Sequence, residues 1–186
     1  YPAGSAIGIW VLVLLVINTI TLIFDAWDVI RWMQGDRAVH AENLDEPVVF
    51  REEIDIEASP AVVWQLLSDY KSYADWNPLV QAVTGETDKL GGRIKVKVAP
   101  LPFKLNATID LLEEGQAVGW TDDFPMQMLT ANPISRLVDN GDGTTTYLFE
   151  ETFAGPALPL IEGNLKKQLP PIYKMLIQAV KARAEG

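Results

Sequence analysis

The chain is expected to fold as an α+β domain behind one membrane-spanning helix. Three patterns carry that expectation: a series of alternating apolar and polar segments, an amphipathic helix at the C-terminus, and an uncharged apolar run near the N-terminus. With 186 residues and 48% hydrophobic content, there is material for one domain with a sizeable core plus an appendage.

The apolar run spans residues 6–24 and contains no charge. At roughly 1.5 Å per residue, a helix of that length reaches about 28 Å, close to the hydrocarbon thickness of a bilayer. A signal-peptide core would be shorter, and no small-x-small cleavage site precedes the polar part. A buried soluble helix so uniformly apolar would need a larger protein around it. Trp10 lies within the run, and Trp27 and Trp32 follow it among Asp25, Asp28 and Arg31, as at a membrane interface. Asn18, Thr19 and Thr21 within the span, and Gly4 and Gly8 four residues apart, are candidates for contact with other transmembrane subunits; singly satisfied polar residues of a lone span are the equal alternative. Tyr1 is not an initiator Met, so a preceding segment is expected. Arg31 and Arg37 beyond the span, with no positive charge in residues 1–5, favour a cytoplasmic domain. Residues 1–33 thus read as a single-pass anchor with its interfacial extension. Residues 34–47 read as a charged linker carrying the single histidine, His40, and the globular domain occupies 48–186.

Val48 to Ile56 alternates as a half-buried strand. Ser59 then offers a side-chain cap and Pro60 a preset φ for a helix holding Val63, Trp64 and Leu67. A second short helical segment carries Tyr73 and Trp76 and stops at Asn77-Pro78. Further strands follow around 82–86, over 93–98 and 105–111, from 116 to 120, over 131–138, and over 144–153 after the Asn140-Gly-Asp-Gly143 hairpin signal. These total about seven antiparallel strands. Asn106-Ala-Thr108 fits a glycosylation sequon but falls within a strand and reads as accidental. The closing helix, Leu158 to Glu185, presents Ile161, Leu165, Leu169, Ile172, Leu176 and Val180 on one face. Pro170-Pro171 is expected to kink or divide it.

The order of these elements, with Ala58-Ser-Pro60 followed by Val63-Trp64 and then Trp76-Asn-Pro78, resembles the START-like (SRPBCC) superfamily of polyketide cyclase/dehydrase and lipid-transport domains. The resemblance runs from about Val48 to the end. It implies a helix-grip fold, in which a curved antiparallel sheet closes on the long C-terminal helix around a cavity, with the first and last strands as neighbours. Some relatives are binders and some are enzymes, so the fold alone does not select a function.

A net charge of −10 argues against a nucleic-acid partner and against electrostatic adsorption to anionic lipid. Without Cys and with one His, the chain offers no disulfide, thiolate or His-cluster metal site, and no catalytic triad. Neither a phosphate-binding Gly loop nor a nucleophile elbow is present, and no cofactor is expected.

Strand parity places Glu52 on the apolar face of Val48, Phe50, Ile54 and Ile56. Glu151 likewise shares the face of Tyr147, Phe149 and Phe153. In the resembled fold these faces line the cavity, where burial raises a carboxyl pKa unless donors or cations compensate. Arg136, Tyr73 and Tyr147 are the candidate partners. An acid/base pair or a polar anchor for a ligand is the functional reading. A β-bulge turning one glutamate to solvent, or an ion pair with Arg, is the plainer reading and is preferred. The remaining candidate ligand contacts are Trp76, Val96, Leu105, Ile109, Trp120, Phe124, Met128, Phe149, Leu165, Leu169 and Ile172. Trp76, Phe124, Met126 and Met128 are the candidate gate. Binding or transfer of a lipid, quinone, sterol or polyketide is the preferred function. The alternatives are an accessory subunit of a membrane complex and a cyclase- or dehydratase-type enzyme.

Overall fold

The computed structural model describes residues 46–124 and 128–186. The apolar run with Trp10, Asn18, Trp27 and Trp32, the Gly4/Gly8 pair, the linker with His40, and Met126 lie outside the described residues. Among the described residues no helix is long and apolar enough to cross a membrane.

Seven strands form one antiparallel sheet: β1 (Val48–Ile56), β2 (Val80–Gly85), β3 (Arg93–Val98), β4 (Lys104–Glu113), β5 (Ala117–Asp123), β6 (Thr130–Asp139) and β7 (Thr145–Ala154). Their spatial order is β1-β7-β6-β5-β4-β3-β2. From β3 onward each strand pairs with the one before it, and β1 joins out of sequence, beside β7. The long helix α3 (Leu158–Glu185) packs chiefly against β1, with smaller contacts to β7 and to the helix over Pro60–Ser68. The expected helix-grip architecture is therefore present.

Local chemistry sets the remaining elements. Helix α1 (Pro60–Ser68) begins at Ser59, but the expected side-chain cap is not made. The Ser59 carbonyl instead accepts from Val62 N at 3.0 Å and Val63 N at 3.2 Å, while Pro60 needs no donor satisfied at this position. A 3-10 turn (Tyr70–Ser72) leads into α2 (Tyr73–Trp76). Asn77 ends α2 in an extended conformation, and its Oδ1 accepts from Leu79 N at 2.8 Å and Val80 N at 3.0 Å.

Helix α3 corrects the expectation for Pro170-Pro171, because it runs unbroken through both. The two prolines withdraw donors from the carbonyls of Lys166 and Lys167, whose residues are exposed, so water can take those bonds. Asp110 faces outward by alternation, and the register shift between Ile109 and Leu111 changes the parity beyond it so that Leu112 packs on the core.

Two apolar clusters fill the space between sheet and helices. The larger contains Ile56, Val63, Ile109, Trp120, Tyr147 and Val180. The smaller, beneath the start of α3, contains Leu129, Ala131, Phe153, Leu158 and Ile161. Phe50 and Leu169 touch both, which places them on the seam between the clusters.

Candidate functional site

Two adjacent glutamates on β7 show how the site arises. Successive strand residues face opposite ways, so Glu150 points outward and pairs with Arg51 at 2.5 Å on the exposed face. Glu151 points inward, in line with Tyr147 and Phe149 (1% and 6% exposed). The β1–β7 register is unbroken and sets Glu151 opposite Phe50. No bulge turns it to solvent and, among the described residues, no Arg meets it, which corrects the plainer expectation for Glu151.

The partner of Glu151 is Tyr173 of α3, whose hydroxyl donates to Glu151 Oε2. Aromatic rings frame this pair. Tyr173 meets Phe149 at 5.0 Å and Phe50 at 5.8 Å between centroids, and Phe50 meets Phe153 at 5.9 Å. Burial pushes the Glu151 carboxyl up from 4.5 to about 7, against the opposing pull of the Tyr173 hydrogen bond. The Tyr173 hydroxyl is raised in turn, first by burial and then by the Glu151 charge. A carboxyl in this position exchanges a proton near neutral pH and can accept from, or donate to, a ligand group.

Glu52 lies on the same face, half-buried and opposite Phe149 in the β1–β7 register. The other expected partners are engaged elsewhere. Tyr147 shares a 3.0 Å hydrogen bond with Ser135, and burial raises its pKa while Ser135 lowers it. Tyr73 donates to the Leu67 carbonyl at 2.6 Å. Arg136 is exposed, because Ala131, Pro133, Ser135 and Leu137 take the inward positions of β6, so it is not brought to the glutamates.

Against β2, the segment after α1 supplies an aromatic ridge. Tyr70, Tyr73 and Trp76 recur every three residues, the repeat of a 3-10 turn, so they fall on one side. Centroids of Tyr70 and Tyr73 are 5.5 Å apart, those of Tyr73 and Trp76 4.8 Å, and Tyr70 reaches Trp120 at 5.4 Å. The Tyr70 hydroxyl and the Trp76 indole N–H are buried and have no hydrogen-bond partner among the described residues. Trp120 Nε1, by contrast, donates to Asp122 Oδ2 at 3.0 Å.

Val96, Leu105 and Ile109 are fully buried, Val96 and Ile109 within the larger cluster. Phe124 is half-buried with Leu165 and Leu169 against the smaller cluster. Met128 is half-buried as well, and its carbonyl accepts from Ala157 N at 2.9 Å. The candidates therefore fall into two groups, one beside the ridge and one at the start of α3. Ile172 is only half-buried, because Tyr173 takes the central position on the helix face. Tyr173, Tyr70 and Ser135 were not among the expected site residues. For Tyr173 a signal existed, since it stands four residues after Leu169 and three before Leu176. No three His, Cys, Asp or Glu side chains gather as a metal site among the described residues.

Residues 47–185 match the family described as polyketide cyclase/dehydrase and lipid transport, and the chain belongs to it. A comparison with curated proteins gives no match. Among solved structures, the chain is similar to the Zhui aromatase/cyclase from Streptomyces sp. R1128, at 17% identity and a TM-score of 0.58 over 75% of this chain and 94% of that one. It is also similar to norcoclaurine synthase of Thalictrum flavum, at 13% identity and a TM-score of 0.60 over 75% and 95% of the two chains. A START superfamily protein from Mycobacterium smegmatis aligns at 15% identity and a TM-score of 0.59 over 74% and 97%. At such identities the likeness concerns the fold.

Proposed function

We propose that this chain binds an apolar small molecule (a lipid, quinone, sterol or polyketide) between the sheet and α3, held near a bilayer by the apolar stretch of residues 6–24. The observation that supports it most is Glu151: an ionisable, part-buried carboxyl on the face of Phe149 and Phe153, opposite Phe50 in the β1–β7 register, with Tyr173 as its donor among the described residues. A buried carboxyl costs stability unless it is well paired, and such costs concentrate at binding and catalytic sites. The tether complements the acidic surface, which adsorbs poorly to anionic lipid by itself. Organic extraction of the purified full chain followed by mass spectrometry should release an apolar molecule at a stoichiometric level. Recovery of none, together with no binding of labelled lipids, quinones or sterols, would refute the reading.

A second reading is a cyclase- or dehydratase-type enzyme, favoured by the placement of the Glu151 proton near neutrality. Glu151→Gln keeps the shape and removes the titration. In an enzyme it abolishes turnover with affinity largely kept, whereas in a carrier it changes affinity and there is no turnover to lose.

A further inference from the structure

The ridge carries two buried donors with no acceptor among the described residues, Tyr70 Oη and Trp76 Nε1. An indole N–H can only donate, so a hydrocarbon or a donor-only ligand cannot satisfy it. Tyr70 is fully buried, and burial with the nearby Asp110 charge raises its pKa, so its hydroxyl keeps its proton at neutral pH. Both rings border Tyr73, and Trp120 packs edge-on against Tyr70 and tilted against Tyr73, at 5.4 and 6.2 Å between centroids. These four aromatic side chains thus form one cluster, and two of them carry a donor without a partner among the described residues. The neighbouring polar side chains are already engaged: Tyr73 with Leu67, Trp120 with Asp122, Tyr147 with Ser135.

We infer that the ligand carries carbonyl-type oxygen on an apolar body and lodges it against the unpartnered donors of this cluster, Tyr70 Oη and Trp76 Nε1. This rests on the interior-binding reading and narrows it from any apolar molecule to one presenting a hydrogen-bond acceptor. An acceptor there satisfies donors whose desolvation the folded chain already bears, so the carbonyl adds affinity that a hydrocarbon of equal size lacks.

Three planar tricyclic probes of nearly equal size separate the possibilities. Fluorenone has a carbonyl acceptor, fluorene has no polar group, and carbazole has only an N–H donor. Dissociation constants are measured on the full chain in detergent, against detergent-only blanks. Fluorenone should bind more tightly than fluorene and carbazole. Tyr70→Phe and Trp76→Phe should each reduce the fluorenone-to-fluorene preference by about two- to twelvefold, the range of a neutral hydrogen bond. Tyr70→Phe should also leave the thermal midpoint of the ligand-free chain unlowered, because the hydroxyl it removes has no partner to lose. Equal affinity for all three probes, a preference that survives both substitutions, or a clear fall in the Tyr70→Phe midpoint would each overturn the carbonyl assignment alone. Binding of none of them would count against interior binding itself, and the carbonyl assignment would fall with it.

Discussion

Glu151 and Tyr173 hold the only inward-facing pairing of a carboxylate with a phenol among the described residues, and their chemistry gives a pH signature. Folding raises the Glu151 pKa from 4.5 to about 7, so the folded chain holds this proton more tightly than the unfolded chain. The resulting stability is complete below about 4.5 and is lost as pH rises through about 7, an upper bound on the order of 3 kcal/mol. Glu86, Asp142 and Glu185 are held low by hydrogen bonds, so their contributions vanish only on acidification below the usual carboxylate range. Thermal midpoints followed between about pH 5 and pH 8 should therefore decline for the native chain and stay nearly level for Glu151→Gln. Parallel slopes in the two proteins would contradict the buried, shifted carboxyl. Tyr173→Phe leaves Glu151 without its donor and should cost about 1–3 kcal/mol in denaturant unfolding at neutral pH. It should also move the Glu151 titration upward, since the hydroxyl is the influence holding it down.

At the scale of elements, the sequence made the strands and their facing legible because alternation is a period-two signal that burial reinforces. Glu52 and Glu151 could be placed inward from parity alone. The partner could not, because helix α3 offers Ile172 and Tyr173 as consecutive apolar positions and only packing against Phe149 and Phe50 selects Tyr173. Arg136 was misplaced for a related reason: it was chosen as a cation near a carboxylate, whereas β6 parity sends it outward. Pro170-Pro171 was read as a kink or a restart because local rules weigh the missing donors but not the packing on both sides, and the helix is not divided there. The orphan donors of Tyr70 and Trp76 were invisible in the sequence, since an unmet hydrogen bond is a property of neighbours distant in the chain. The β7–α3 corner makes a further prediction. Gly155 has φ +130°, and a Cβ there would lie 2.7 Å from the Met128 carbonyl oxygen. Gly155→Ala should destabilise the chain by about 1–3 kcal/mol in denaturant unfolding, through strained backbone and forced separation of this corner from the β5–β6 connection. Unchanged stability would mean that the corner is looser than this contact.

At the scale of the molecule, a grip-like domain follows the apolar run of residues 6–24, the proposed tether, which lies outside the described residues. Arg31 and Arg37 after the apolar run favour a cytoplasmic domain. Protease added to intact spheroplasts should leave the domain whole, and digestion without lysis would reverse the orientation. The central claim is that a ligand enters between sheet and helix and does not merely dissolve around the tether. The chain has six tryptophans, and their positions make this measurable: Trp10, Trp27 and Trp32 lie in or beside the apolar run, whereas Trp76 and Trp120 belong to the ridge and its neighbours. The measurement is a titration of the full chain with fluorenone, read from the indole N–H resonances assigned by single Trp→Phe substitutions. The expected result is a saturable shift of the Trp76 and Trp120 resonances at equimolar ligand. Shifts confined to Trp10, Trp27 and Trp32, growing without saturation, would contradict an interior site.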